Sequence, residues 1–362
     1  MTARTRADLD SLAGYVPGRS IPGAVNLASN EVPAGPLPSV IAAISDAAAG
    51  VNRYPDNGAT ALVDRLALRL GTPSSQITVG CGSSMLCQQL VAATCGPADE
   101  VLFAWRSFEA YPIITQVVGA RRRPVPLRPD HRHDLAAMLG AITPATRLVF
   151  VCNPNNPTGT AVPGEELVAF LDAVPDGVLV VLDEAYHEFV TDPAVGDGMA
   201  LCHYQSHHQG QGRRRDNLAV LRTFSKAYGL AGLRVGYCVA PEPVTTALRA
   251  VAVPFSVNSL AQVAALASLD VEGELLARCR GVAAERGRVR GELLAMGYPV
   301  PDSQANFLWL PLGEQTAAFA GHCLEHKIVI RPFPGDGVRV TISDANENDA
   351  FLAAAREWGC ES

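Results

Sequence analysis

Four loops of this sequence combine side chains that could do chemistry, and each loop follows a short apolar run. The runs end at Val79, Val151, Leu182 and Leu221. The loop at 80–84 carries glycines and serines, and the loop at 153–159 carries asparagine amides. The loop at 183–186 carries an acid and a phenol, and the loop at 223–234 carries a lysine and an arginine. Ligands of open α/β sheets bind beyond the carboxyl ends of the strands, so we expect the four loops to meet at one edge.

This combination suits pyridoxal phosphate, which needs an amine for a Schiff base, an acid opposite its pyridinium nitrogen and donors for its phosphate. Lys226 is the predicted amine, and Asp183 is predicted to keep the ring nitrogen protonated. The predicted phosphate donors are Ser225, Arg234 and, at the start of a helix, Gly82, Ser83 and Ser84. Taken alone, each of these residues could instead cap a helix, form a turn or lie on the solvated surface. Their joint occurrence in order at strand ends favours the cofactor site.

The apolar runs are continuous rather than alternating, which indicates strands buried on both faces of a parallel sheet. Strands are predicted at 77–79, 101–103, 147–151, 178–182 and 218–221. Helices are predicted at 38–49, 59–70, 83–94, 108–119 and 164–174. This alternation predicts an α/β, doubly wound fold.

The pattern changes near residue 244, where long helical stretches are followed by short strands. The strands are predicted at 306–310, 328–330 and 338–341, with a final helix at 347–359. The first 35 residues are broken by Pro and Gly and are predicted to form an irregular arm. We therefore expect an arm (1–35), a large cofactor-binding domain (36–243) and a smaller α+β domain (244–362). The 203–216 stretch is predicted to be a loop without an assignable role.

Three motifs resemble the fold-type I aminotransferases: NPNNPTG at 153–159, DEAY at 183–186 and SKAYGLAGLR at 225–234. The histidinol-phosphate aminotransferase family is the most similar branch, because it shares the eight-residue spacing from Lys226 to Arg234. Strings such as YVPG at 15–18 and WRSFE at 105–109 resemble the aromatic amino-acid (phenylalanine) aminotransferases of actinobacteria. The resemblance covers nearly the whole chain and implies a large, mostly parallel-sheet domain with a smaller C-terminal domain.

The resemblance also implies roles at the cofactor. Asn156 and Tyr186 are expected to hydrogen-bond the oxygen on the cofactor ring, with Tyr186 joining Lys226 and Asp183 as a catalytic residue. Phe108 is expected to stack on the ring, where many relatives carry Tyr. Tyr54 is expected to reach the cofactor phosphate of a neighbouring subunit, so that the active unit is a homodimer with shared sites. The alternative for Tyr54 is an aromatic anchor in a turn.

Substrate-binding residues are likewise implied by the resemblance. Arg339 is expected to bind the substrate carboxylate in a bidentate fork, with Arg331 nearby and Asn156 also contributing. Tyr15 and Asn30 lie on the arm that is expected to close over the site, with plain packing as their alternative role. In relatives that use histidinol phosphate, the equivalent arginines hold its phosphate, so the two arginines leave the substrate open.

Composition excludes several other classes of function. The chain has 29 basic and 36 acidic residues, a net charge of −7, which disfavours nucleic acid as a partner. No apolar run is long enough for a signal peptide or a membrane span. The nine cysteines include no CxxC pair, which favours reduced thiols in the cytoplasm. The histidines lack zinc-type spacing, so no metal site is predicted.

The predicted activity is pyridoxal-phosphate-dependent transamination of phenylalanine, tyrosine and tryptophan. Their amino group passes to 2-oxoglutarate, giving aromatic 2-oxo acids and glutamate. The first alternative is a histidinol-phosphate aminotransferase of histidine biosynthesis, and the second is a lyase or decarboxylase on the same fold. A non-catalytic regulator is disfavoured, because the 35-residue arm is too short for a helix-turn-helix module and both Lys226 and Asp183 are present.

Overall fold

The computed structural model describes residues 4–12, 14, 18, 21–203 and 215–361. Tyr15 and most of the predicted 203–216 loop lie outside these residues. The strands are β1 (Val25–Asn26), β2 (Ile77–Gly80), β3 (Glu100–Trp105), β4 (Arg121–Pro126), β5 (Thr146–Cys152), β6 (Leu179–Asp183), β7 (Leu218–Thr223), β8 (Gly236–Val239), β9 (Phe307–Leu310), β10 (Ile328–Val329), β11 (Arg331–Phe333) and β12 (Gly337–Thr341).

Twelve helices surround these strands in the described part of the chain. They are α1 (Pro38–Ala48), α2 (Thr60–Leu70), α3 (Ser83–Thr94), α4 (Ala110–Val118), α5 (Leu135–Gly140), α6 (Gly164–Ala173), α7 (Gly198–His203), α8 (Glu242–Val251), α9 (Ser259–Asp270), α10 (Glu272–Ala295), α11 (Thr316–Glu325) and α12 (Ala345–Glu361). No helix among the described residues is long and apolar enough to cross a membrane.

A seven-stranded sheet organises the larger part of the molecule, in the order β2-β8-β7-β6-β5-β3-β4. Only β8 runs antiparallel to its neighbours, and the other strands are mutually parallel. Every residue of β6 and β7 is buried, as the continuous apolar runs predicted. The predicted α/β, doubly wound, mostly parallel architecture is therefore confirmed.

Two strands of the large sheet escaped prediction. The edge strand β4 has the sequence RRRPVP, and most of its side chains are at least partly exposed. It has no apolar run to identify it, because an edge strand of this kind is only partly covered. The strand β8 follows a glycine-rich loop and is too short to show a period of its own.

Part of the predicted arm belongs to a core instead. The strand β1 pairs in parallel with β10, and Leu27 just after it is fully buried in the apolar cluster of the small sheet. That sheet has the order β11-β12-β9. The expectation of an irregular arm throughout 1–35 is wrong for residues 25–30, because long-range pairing with the C-terminal part of the chain orders them.

The helices after residue 242 divide between the two cores. Leu248 of α8 packs with the large-sheet core, and so do Ala264 and Leu269 of α9. The later part of α10 packs in the other core through Val289 and Leu293. The domain boundaries at 35/36 and 243/244 stay a prediction. The packing changes from the large-sheet core to the small-sheet core within α10, since Leu275 and Cys279 belong to the former.

Candidate active site

The loops after β2, β5, β6 and β7 meet at one end of the large sheet, as the motifs predicted. They enclose a cavity of about 360 Å³ together with residues from the arm and the small sheet. Eleven predicted site residues line it: Asn30, Ser83, Ser84, Phe108, Asn156, Asp183, Tyr186, Ser225, Lys226, Arg234 and Arg339.

Asp183 is the last residue of β6 and lines the cavity, and only one of its two carboxylate oxygens accepts a hydrogen bond within the described part of the chain. The Tyr111 hydroxyl donates a 2.7 Å hydrogen bond to its Oδ2. Its Oδ1 is buried and meets no donor of ordinary hydrogen-bond geometry among the described residues. Burial raises the pKa of Asp183 to about 6. A carboxylate oxygen in that position calls for a cationic donor, because leaving it unmatched is costly.

Lys226 follows β7 and projects into the same cavity. Its Nζ donates a 3.1 Å hydrogen bond to the backbone oxygen of Ser29. Burial lowers the pKa of Lys226 to about 7, and the positive charge of Arg339 adds to this effect. Near neutral pH this amine therefore has a substantial neutral fraction, which is the form that attacks carbonyl carbon and accepts protons.

The start of α3 forms a cradle for an anion. Gly82 precedes the helix with a φ of +78°, and no side chain caps the helix here. The positive φ favours glycine here, and a Cβ at Gly82 would lie 2.6 Å from the Arg234 Nη2 and force that side chain to move. Arg234 also donates to the Ser225 Oγ, at 3.3 Å. Backbone N–H groups, a hydroxyl and a guanidinium thus converge, as phosphate binding requires.

Arg339 of β12 joins the small sheet to the large-sheet loops. Its Nη1 donates to the Asn156 Oδ1 at 2.6 Å, and its Nη2 donates to the Ala28 backbone oxygen at 2.6 Å. Asn30, which has a φ of 55°, donates through Nδ2 to the Tyr186 hydroxyl at 2.9 Å. Burial raises the pKa of Tyr186, which keeps its hydroxyl protonated at neutral pH.

Apolar groups complete the cavity wall. Phe108 lies at the rim, with its ring 5.5 Å from that of Tyr111 in an edge-to-face arrangement. Ala110 and Ile113 of the same segment and Ala185 after β6 also line the cavity. This wall offers a flat ligand one aromatic face and several aliphatic contacts.

Three predicted residues in the described part of the chain do not line the cavity, and Tyr15 lies outside that part. Gly82 is one of the three and directly precedes Ser83, the first residue of α3. Tyr54 is 83% exposed and stacks on Phe255, away from the cavity of its own chain. Arg331 is the strand partner of Arg339 but forms an ion pair with Glu109 at 2.8 Å.

Several residues that shape the site were not predicted from the sequence. Tyr111, Cys152, Thr223, Ser29 and Glu109 each contact or border the groups described above. Tyr111 had a usable signal, because it follows Phe108 by three residues and so lies one helical turn further along the same segment. The contact of Ser29 with Lys226 spans 197 residues and left no local signal.

One group of possible metal ligands lies beside the site. Glu184, His187 and Asp197 place ligand atoms within 4.8 Å of one another. The guanidinium of Arg222 already pairs with Glu184 at 2.8 Å and with Asp197 at 2.6 Å. One guanidinium therefore already bridges both carboxylates, and the cluster carries no metal assignment.

The described donors and acceptors fit pyridoxal phosphate. The buried Asp183 Oδ1 suits a protonated ring nitrogen, and the start of α3 with Arg234 suits a phosphate. Lys226 lies in the same cavity with a depressed pKa. Phe108 supplies a wall against which a planar ring can stack.

Comparison with known proteins agrees with this fit. Residues 22–354 match the family model described as aminotransferase class I and II. An aromatic amino acid aminotransferase of Rhodococcus jostii (strain RHA1) is 60% identical over 355 residues, which is 98% of this chain and 96% of that protein. Another of that name, from Streptomyces coelicolor, is 53% identical over 98% of this chain and 97% of its own length.

A solved structure extends the likeness to the fold. Histidinol-phosphate aminotransferase from Sinorhizobium meliloti, in complex with pyridoxal-5'-phosphate, superposes with a TM-score of 0.88. It is 29% identical, and the match covers 100% of this chain and 99% of that one. With its fold, its lysine and aspartate in one cavity and a family match over nearly its full length, this chain belongs to the class I and II aminotransferases.

Proposed function

We propose that this chain is a pyridoxal-phosphate-dependent transaminase of aromatic amino acids. The observation that carries the proposal is the convergence of Lys226, Asp183 and Arg339 on one cavity with an aromatic wall. The names of the relatives at 53% and 60% identity support the substrate class. Phenylalanine, tyrosine and tryptophan give their amino group to 2-oxoglutarate, which yields the aromatic 2-oxo acid and glutamate.

Each residue of the site has a defined task in this reaction. When bound, pyridoxal phosphate supplies an electron sink for the negative charge left on the substrate α-carbon. Lys226 would hold the cofactor through its amine, and as a neutral amine it would move the proton at the substrate α-carbon. Asp183 would accept the N–H of the ring nitrogen and so favour its positive charge.

Other residues hold the cofactor and the substrate in place. Asn156 and Tyr186 bind the ring oxygen, Phe108 stacks on the ring, and the start of α3 with Ser225 and Arg234 binds the phosphate. Arg339 binds the substrate carboxylate in the cavity that Asn30 of the arm also lines, and Asn156 and the backbone of Ala28 hold its guanidinium. The aliphatic side chains of Ile113 and Ala185 favour a substrate with an apolar side chain over one with a polar side chain.

The substrate is tested by steady-state kcat/KM for phenylalanine, tyrosine and histidinol phosphate, each with its matching oxo-acid acceptor. We expect phenylalanine to be preferred, with tyrosine close behind. A preference for histidinol phosphate would overturn the aromatic assignment and move the enzyme into histidine biosynthesis. Loss of phenylalanine or tyrosine without formation of the matching 2-oxo acid would instead indicate a lyase or decarboxylase.

We also propose a homodimer in which Tyr54 of each subunit reaches the phosphate of its neighbour's cofactor. Tyr54 is 83% exposed, and the ring of Phe255, 43% exposed, stacks on it at 4.7 Å. The exposed Val51 and Val253 flank these two residues in sequence. Exposed aromatic and aliphatic groups of this kind favour a protein interface.

Complementation between two inactive variants tests shared sites. Lys226→Ala and Tyr54→Ala subunits, co-expressed with different tags, should form hybrids in which one site has both residues, so activity should exceed that of either parent. Lys226→Ala combined with Asp183→Asn is the matched control and should give no gain, because both residues come from the same subunit. Equal outcomes for the two mixtures would contradict a shared site.

We further propose a cytoplasmic location. Eight of the nine cysteines are free thiols in the structure. Burial raises the pKa of several, Cys87 and Cys238 among them, which suits unreactive core thiols. Cell fractionation followed by thiol titration of the denatured protein tests this, with a cytoplasmic fraction and free thiols expected.

A further inference from the structure

Two arginines are paired in the small sheet, and one of them, Arg339, lines the substrate end of the cavity. Arg331 of β11 and Arg339 of β12 are directly paired across antiparallel strands, so both side chains point to the same face of the sheet. Their guanidinium carbons lie 5.5 Å and 5.9 Å from the centroid of the same ring, that of Phe333. The pair by itself would present two positive charges to an anionic ligand.

Glu109 lowers the net positive charge of the two arginines. Its Oε2 accepts a 2.8 Å hydrogen bond from the Arg331 Nη2, and the two side chains are 29% and 10% exposed. Glu109 immediately follows Phe108 and precedes Ala110, and both of those residues line the cavity. With Glu109 in place, the two arginines and this acid together carry one positive charge rather than two.

We propose that Glu109 is a specificity-determining residue that selects a carboxylate monoanion over a phosphate dianion. A dianion gains most from two unshielded guanidiniums and is repelled by a carboxylate beside them, whereas a monoanion is satisfied by Arg339. This inference rests on the proposed function, because it concerns which amine substrate enters that site. In this proposal Arg339 attracts the anionic end of the substrate, and Glu109 repels that end when it is a dianion.

The test compares two donors that differ only in the end group, phenylalanine and phenylalaninol phosphate. In Glu109→Gln, which keeps size and hydrogen bonding but removes the charge, the ratio of kcat/KM for the phosphate over the carboxylate should rise about tenfold. In the double variant Glu109→Gln with Arg331→Gln, that gain should disappear, because the released guanidinium is its source. An unchanged ratio in Glu109→Gln, or a gain that persists without Arg331, would overturn the proposal.

A matched control is available in the same two segments. Arg106, three residues before Glu109, pairs with Asp336 in the turn between β11 and β12. Asp336→Asn also removes an ion pair between these segments but leaves the Arg331–Glu109 contact in place. It should not shift the ratio of the two donors. A shift as large as that of Glu109→Gln would assign the effect to a loosened loop and overturn the charge argument.

A binding measurement separates this inference from the proposed function. Titration calorimetry of the cofactor-loaded protein with 3-phenylpropionate and 3-phenylpropyl phosphate compares the two charges without turnover. Glu109→Gln should tighten the phosphate about tenfold relative to the carboxylate. If wild-type protein fails to transaminate phenylalanine but this shift appears, the proposed function fails and the role of Glu109 stands. If phenylalanine is turned over and no shift appears, the inference alone fails.

Discussion

The two ends of the active-site cavity are built in different ways. The cofactor end comes from loops that directly follow strands of one sheet, so each residue is fixed by the short segment that contains it. The substrate end comes from the arm and the small sheet, where the backbone N–H of Asn30 donates to the Thr341 hydroxyl across 311 positions. The cofactor end is therefore determined locally, while the substrate end depends on how distant segments pack.

Lys226→Ala should have the largest effect and should disable the cofactor end alone. Turnover of phenylalanine should fall by about a thousandfold or more, because no other described amine lines the cavity. Substrate analogues such as 3-phenylpropionate should still bind, because Arg339 is intact. Rapid kinetics and calorimetry give the two values, and a variant with wild-type rates would contradict the role of Lys226.

Arg339→Gln should disable the substrate end alone. The side chain loses its charge, so KM for phenylalanine should rise about a hundredfold. The dissociation constant of pyridoxal phosphate, measured by equilibrium dialysis, should change much less. A comparable loss of cofactor affinity would show that the two ends are not separable, since Asn156 contacts Arg339 and lines the same cavity.

The same contrast decides what the sequence could predict. Lys226, Asp183 and the start of α3 were predictable, because a buried strand followed by a reactive loop is visible within ten residues. Arg339 and Asn30 came only from family resemblance. The strand β1 and the Glu109–Arg331 ion pair were not predicted, because they depend on pairing between segments far apart in sequence. The spacing of apolar residues predicts which segments are buried, but it does not predict which polar side chains form hydrogen bonds or ion pairs with one another.

The pKa of Lys226 predicts how covalent loading of the cofactor depends on pH. Burial lowers this pKa from 10.5 to about 7, so the amine is mostly neutral above pH 7 and mostly protonated below it. Only the neutral amine attacks a carbonyl, so the loading rate of cofactor-free protein should be nearly constant from pH 8 to 9. Below pH 7 the loading rate should fall with each pH unit, by a factor that approaches about ten. Absorbance stopped-flow follows the rate, and a midpoint near 10 would contradict a depressed pKa.

Tyr111→Phe should have the smallest effect and should sharpen the description of the cofactor end. The variant keeps the ring that stacks on Phe150 at 4.3 Å but removes the hydroxyl that donates to Asp183. That hydrogen bond holds the pKa of Asp183 down, so its loss should raise the pKa and protonate more of the carboxyl at neutral pH.

In Tyr111→Phe, kcat for phenylalanine should therefore fall about fivefold at pH 7, with KM nearly unchanged. The loss should be greater at pH 6 and smaller at pH 8.5, because higher pH restores the carboxylate. Tyr298→Phe is the matched control, since it removes a buried hydroxyl that donates to Ala355 in the other core. A pH-independent loss, or an equal loss in Tyr298→Phe, would mean that Tyr111 acts through packing rather than through the charge of Asp183.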